Sequence, residues 1–207
     1  MIVGQGLLPP IIPDHSETHN AKEGTMLGLK RGTVNLLAHQ PSWDENAKDT
    51  ISLLWTVLRG TAVDIQHIGS TSIPYIHAKP IIDLAVAVSS LDDILPLIPK
   101  LEQIGVIYRN QDHPGQILFV MGDFQNEIRT HHVHVVEINN PAWQNYINFR
   151  DYLNDHPHKA KLYDDLKQTL FQQYSDNRGL YRAGKQELIN KLLEEARQYK
   201  EASHVPF

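Results

Sequence analysis

The stretch PIIDLAVAV, residues 80–88, constrains the fold of this chain most. Apart from Pro80 and Asp83 it contains only Ile, Leu, Ala and Val. A strand that is apolar on both faces belongs in the middle of a sheet covered on both sides. Strand alternation places Asp83 with Ala85 and Ala87 on one face and Ile82, Leu84 and Val86 on the other. A carboxylate in that setting is costly unless it is paired or holds a metal. The alanines beside it leave room for a ligand; structural pairing with Lys79 or an arginine is the plainer alternative.

The rest of the pattern sets that strand in an α/β (α+β) fold. PSWDENAKDTISLLWTVLRG predicts a helix, with a Ser42/Glu45 capping box, Ala47, Ile51, Leu54 and Leu58 on one face, and Gly60 as its stop. Residues 33–37, 62–69, 106–110, 116–122 and 128–138 predict strands. Ser90 caps a helix to about residue 104, which Pro96 and Pro99 split or kink. From Pro141 the signal is helical, with starts at Asn140-Pro141 and His156-Pro157 and a third helix over 181–202. The plan is a mixed sheet flanked by helices with a C-terminal helical segment, residues 141–202, in one domain over 33–202. Residues 1–32, rich in Pro and Gly, predict an extended arm that reaches the body or a second copy of the chain in a homodimer.

Composition narrows the chemistry. The chain has no cysteine, so any metal must be held by His, Asp or Glu, and 12 histidines are available among 207 residues. A net charge of −5 argues against broad nucleic-acid binding, although a local basic pocket for one phosphate ligand is compatible with it. No apolar run approaches the roughly 18 residues of a membrane span. The N-terminus lacks a basic segment and is broken by Pro9, Pro10 and Pro13, so it does not read as a secretory signal. A cytoplasmic protein with no membrane partner is expected.

Three further motifs carry possible chemistry. In HIGSTS the Gly69-Ser70 turn follows a strand, and its amides with the Ser70 and Thr71 hydroxyls suit phosphate oxygens; an ordinary loop is the alternative. In RTHHVHVVE, His132 and His134 share one strand face and suit one metal or one phosphate, while His131 and Glu137 lie on the other. Arg129 and Thr130 precede the pair as anion contacts. In FRDYL and YRAGKQELI, Arg150, Tyr181 and Lys185 suit either the same cleft or helix-surface ion pairs with Asp151, Asp164 or Glu187.

HIGSTSIPYIHAKPIIDLAVAV, RTHHVHVVE, FRDYLNDHPHKAKLYDDLK and YRAGKQELI, in that order, resemble the GrpB family of the nucleotidyltransferase-like superfamily. The likeness runs from about Val34 to Tyr199. It departs where the family's Pro-Gly after GST is Pro74-Tyr75 here. The resemblance implies a nucleotidyltransferase-like mixed sheet, a turn at Gly69, Ser70 and Thr71 for nucleotide phosphates, and acids for divalent metals. Asp83 is the first of those acids, and Ala85 stands where the second would be. The implied metal set is then Asp83, His132 and His134, for Mg, Mn or Zn. The two imidazoles favour Zn, Mn, Fe or Ni over Mg, which prefers oxygen ligands. Lys79, Arg129 and Lys185 would neutralise phosphate, and Asp83 and His67 would be the catalytic groups. Two functions follow: nucleotidyl transfer, or a non-catalytic nucleotide- or metabolite-binding module. GrpB-like domains fused to dephospho-coenzyme A kinase imply an accessory role in coenzyme A biosynthesis for the second.

Overall fold

Which strands flank PIIDLAVAV decides what Asp83 meets. The computed structural model describes residues 26–109 and 114–203. Its strands are β1 (Leu29–Lys30), β2 (Ala62–Ile68), β3 (Ile82–Val88), β4 (Ile107–Arg109), β5 (Gln116–Met121), β6 (Ile128–Arg129) and β7 (His131–Glu137). Its helices are α1 (Pro41–Leu58), α2 (Ile98–Gln103), α3 (Pro141–Asp155), α4 (Pro157–Tyr174), α5 (Arg178–Ala183) and α6 (Gln186–Ser203). The main sheet runs β2-β3-β7-β5-β4. The β3–β7 pair is parallel and the other pairs are antiparallel, so the sheet is mixed, as the sequence predicts. Among the described residues no helix is long and apolar enough to cross a membrane.

The two faces of β3 are treated differently. Ile82, Leu84, Val86 and Val88 join Val133, Val135, Ile117 and Phe119 in the main core, under the Trp43, Ala47, Leu54 and Leu58 stripe of α1. Ala85 and Ala87 face the other way, with Ile68 and Val136, and pack on Trp143 of α3. Branched side chains fill the α1 side, whereas the alanines let α3 approach closely. A second cluster (Ile73, Ile76, Tyr152, Leu153, Tyr163, Leu192) knits α3, α4 and α6 to the chain after β2. The site lies where that helical layer meets the alanine face.

Several local expectations are corrected. Helix α1 starts at Pro41, with Gln40 as N-cap and no side-chain cap, so Ser42 caps nothing. Proline's fixed φ favours the first helical position and sets the start two residues earlier. Residues 33–37 form no strand; Leu37 alone bridges Ala78, and the short pairing is between Leu29–Lys30 and Ile128–Arg129. The predicted 128–138 strand is two strands, β6 on β1 and β7 in the main sheet. Ser90 does cap, accepting from the Asp92 amide, but Pro96 and Pro99 leave two 3₁₀ turns and the short α2. The 181–202 helix is broken at Gly184, where an added Cβ would lie 2.5 Å from Leu170 Cδ2. That close approach docks the α5–α6 junction on α4. Most of the predicted N-terminal arm, residues 1–25, lies outside the described residues.

Candidate functional site

The parallel register sets Asp83 beside His132 and Ala85 beside His134. His132 Nδ1 is 3.0 Å from Asp83 Oδ1, and His134 Nε2 is 3.9 Å from the same oxygen. One ligand atom from each of the three residues lies within 4.8 Å of the others, close enough for a shared ion. Burial pushes the Asp83 carboxyl up, but interaction with the two imidazoles outweighs it and holds the group well below the usual carboxylate range. Asp83 is therefore an anion at neutral pH. A donor set of one oxygen and two imidazole nitrogens, each side chain partly open to the cleft, fits a transition metal or zinc better than magnesium.

The Gly-Ser turn closes over this acid. Gly69 has φ +73°, and a Cβ there would sit 2.7 Å from Asp83 Oδ2. No other residue fits without moving the carboxylate. Ser70–Ser72 form a 3₁₀ turn, pinned by a hydrogen bond from Ser72 Oγ to the Gly69 carbonyl at 2.7 Å.

The cleft around these groups has two lobes that share Gly69, Asp83 and Phe149. The basic lobe, about 170 Å³, is walled by Lys79, Lys167, Lys185, Tyr163 and Tyr181, with Ser70 and His132 at its floor. The second, about 380 Å³, is mostly apolar and is bordered by His134, Tyr146, Ile189 and Leu193. Burial, and then mutual repulsion with Lys185, lowers the Lys79 ammonium to about 8; burial lowers Lys185 to about 8 and Lys167 to about 7. Lys79 and Lys185 stand over the Tyr181 ring at 5.9 and 4.8 Å. Lys167 donates to the His77 carbonyl and lies 3.5 Å from Asp164 Oδ1. Asp83 is the only acid lining either lobe among the described residues. Asp164 answers Lys167 from behind the lobe, whereas Lys79 and Lys185 have no carboxylate in ion-pair contact among the described residues and leave an electrostatic demand for an anion.

A family model described as GrpB protein matches residues 33–195. The chain belongs to the GrpB family. The glutamate-rich protein GrpB of Alkalihalophilus pseudofirmus is 36% identical over 173 residues, 82% of this chain and 99% of that protein. The UPF0157 protein YqkA of Bacillus subtilis is 34% identical; the match takes in 89% of this chain and 54% of YqkA. The crystal structure of GrpB from Enterococcus faecalis superposes with a TM-score of 0.73 at 32% identity, over 80% of this chain and 99% of that one. The Cid1 poly(U) polymerase is more distant, with a TM-score of 0.42 at 13% identity over 63% of this chain.

In this GrpB chain the cleft gathers Gly69, Ser70, Thr71, Lys79, Asp83, His132 and Lys185 around the basic lobe and His134 beside the apolar one. It does not gather His67 or Arg129. His67 pairs with Leu84, and so faces the α1 side of the sheet. Its Nε2 is 2.9 Å from Thr71 Oγ1 and its Nδ1 is 3.4 Å from Asp44 Oδ1. Burial, partly offset by Asp44, lowers His67 to about 4, so it is neutral and anchors the turn from behind. That geometry corrects the general-base role expected of it, and it ties up the Thr71 hydroxyl. Arg129 lies on β6 against the Phe124 ring, 4.4 Å from its centroid, and is absent from the cleft lining. Arg150 bonds the Gln66 side chain, the His67 carbonyl and Asp151, locking α3 to β2. Glu137 stays on the α1 side because β7 is regular, and His131 on that side contacts Thr50 at 3.1 Å.

Lys167, Tyr163 and Phe149 were not among the site residues expected from sequence. One signal was present: Lys167 falls on the Tyr163/Leu170 face of α4, where an apolar residue is the norm. Ala85 is fully buried among Ile68, Val136 and Trp143. The position where the family resemblance would place a second acid is thus filled core, and His134 is its neighbour across the parallel pair.

Proposed function

We propose that the cleft binds a nucleotide or another phosphate-bearing small molecule together with one divalent metal. The observation that carries this reading is the junction itself: Asp83, His132 and His134 converge next to a lobe walled by the buried Lys167 and the half-buried Lys79 and Lys185. Asp83, His132 and His134 would hold the ion, which when bound polarises phosphoryl oxygens and neutralises their charge. The amides of the turn and Ser70 would accept the phosphate, and Lys79, Lys167 and Lys185 would balance it. The apolar lobe offers the rest of the ligand the mixed lining usual for small-molecule sites.

The direct test is calorimetric titration of nucleoside triphosphates with Mn²⁺ or Zn²⁺ into the protein and into Lys185→Met. A charge-assisted contact is worth about 1.5–3 kcal/mol, so the variant should bind roughly 10- to 100-fold more weakly. Its ligand-free melting temperature should stay level or rise, because a desolvated ammonium has been removed. Equal binding by both proteins would remove the lysines from the site.

The lysines also set a pH signature. Their folded pKa values of about 7 to 8 lie below the unfolded value near 10.4. Between pH 7 and 10 the unfolded chain binds more protons, so this contribution makes the ligand-free protein more stable as pH rises. Phosphate binding needs the protonated lysines and should weaken across the same range, by up to about tenfold per pH unit for each lysine that must be charged. Melting curves and titrations at pH 7, 8 and 9 should therefore move in opposite directions.

A second reading, binding without chemistry, is favoured by the buried Ala85 and the single acid lining the cleft. An accessory role, including one in coenzyme A biosynthesis, belongs to this reading. Pyrophosphate release that Asp83→Asn abolishes would mark nucleotidyl transfer. Metal-dependent binding with no turnover would mark the module.

A further inference from the structure

The basic surface does not end at the cleft. Tyr181, which carries Lys79 and Lys185 over its ring, packs on Val34 in one cluster, and Arg178 and Arg182 flank it on α5. The chain before Val34 runs back through Arg31, whose amide bonds the Glu127 carbonyl at 2.9 Å, into β1 paired with β6. There Arg129 and Arg109 stand 4.4 and 5.4 Å from the centroid of the exposed Phe124 ring. None of these five arginines has a carboxylate in ion-pair contact among the described residues; Glu127 opposes Arg129 and Asp83 opposes Arg178 only at longer range. Burial and then repulsion from Arg109 and Arg31 lowers Arg129; burial and then repulsion from Arg182 and Arg31 lowers Arg178. Arg31 is thus within electrostatic reach of both Arg178 on α5 and Arg129 at Phe124.

Residue type changes along that path. The enclosed lobe uses lysine, a point charge suited to a compact phosphate. The outer path is mainly arginine, with Lys30 of β1 as its one lysine; the planar guanidinium fork suits successive phosphodiesters and stacks on rings. We propose that the surface from the cleft along α5 and β1 to Phe124 binds the backbone of a single-stranded nucleic acid, with a base stacked at Phe124. An acidic peptide would satisfy the charge but would make no use of the ring flanked by two guanidiniums. The chain's acidic balance elsewhere confines such binding to this path, in keeping with the absence of a broad basic face.

The test is fluorescence anisotropy with a fluorescein-labelled single-stranded RNA of about ten nucleotides, within the usual 4–16 nucleotide site sizes, over a series of salt concentrations. Binding should weaken linearly in log–log form. In the double variant Arg109→Gln/Arg129→Gln the slope should become shallower by about 1.4, at roughly 0.7 per lost phosphate contact on a single strand. Phe124→Ser should weaken binding several-fold with the slope unchanged. Circular dichroism melts of each variant confirm folding. Absence of binding at about 50 mM salt, or an unchanged slope in the double variant, overturns the inference. So does polyglutamate competing as well as RNA, which would assign the path to acidic protein. The cleft reading is judged separately: the double variant should keep the nucleotide response, and Asp83→Ala, which removes that response, should keep the RNA slope.

Discussion

Asp83→Ala should abolish the metal-dependent response to nucleotide while leaving a folded protein. Asp83 is the only carboxylate of the candidate metal set and the shared wall of both lobes. Losing a partner one shell out commonly costs 10- to 100-fold in metal affinity, so losing the anionic ligand should cost at least about 100-fold. At a ligand concentration of about 100 Kd the wild-type protein gains about 2.7 kcal/mol, and the variant only about 0.4. For a domain of this size that is a melting shift of roughly 5–10 °C falling to about 1 °C. The metal-free variant also loses the hydrogen bond to His132 and should melt a few degrees lower. The decisive quantity is thus the difference between the loaded and EDTA-treated melts of each protein. Asp83→Asn, which preserves shape and removes charge, should behave like alanine. A full shift retained in both variants would place the metal elsewhere among the 12 histidines.

Gly69→Ala should damage both stability and binding. Gly69, at φ +73° and ψ −169°, sits in a backbone region that is essentially restricted to glycine and costs another residue about 1–3 kcal/mol. The new methyl would also lie 2.7 Å from Asp83 Oδ2 and 3.0 Å from its Cβ, on a strand that has no freedom to retreat. Together these should cost about 2–4 kcal/mol, a fall of roughly 5–15 °C in melting temperature. Gly60→Ala provides the control: φ there is +87°, but nothing lies within 4 Å of the added methyl. It should show the backbone cost alone and leave metal binding intact. Equal losses in the two variants would mean that the turn does not press on the acid.

These outcomes rest on side-chain faces that are readable in the chain and on a strand pairing that is not. Period-two alternation put Asp83 on the alanine face and His132 with His134 on one side of their strand, and parallel pairing of β3 with β7 brought those sides together. His67 was misplaced because its face depends on register. Ile68 is the residue opposite Asp83, so its predecessor must point away, and nothing in HIGSTS fixes that pairing. Arg129 was misplaced because alternation sets it on the side of His131, opposite His132, and the strand then breaks at Thr130, which leaves Arg129 on β6. Lys185 was recognisable in YRAGKQELI; helical periodicity marks Lys167 as a cation on the apolar face of α4, but not what that face packs against. The Ser42/Glu45 signal was locally sound and lost to Pro41, one residue ahead of it.

The acid and its first imidazole are 49 positions apart, on adjacent central strands whose connection contains β4, β5 and β6. No fragment that lacks either strand can assemble the pair, and no local fluctuation can take it apart while the middle of the sheet holds. Native-state hydrogen exchange should show this directly. A bound ion and ligand should slow the amides that exchange only through whole-molecule opening, and leave the fraying ends of α6 untouched.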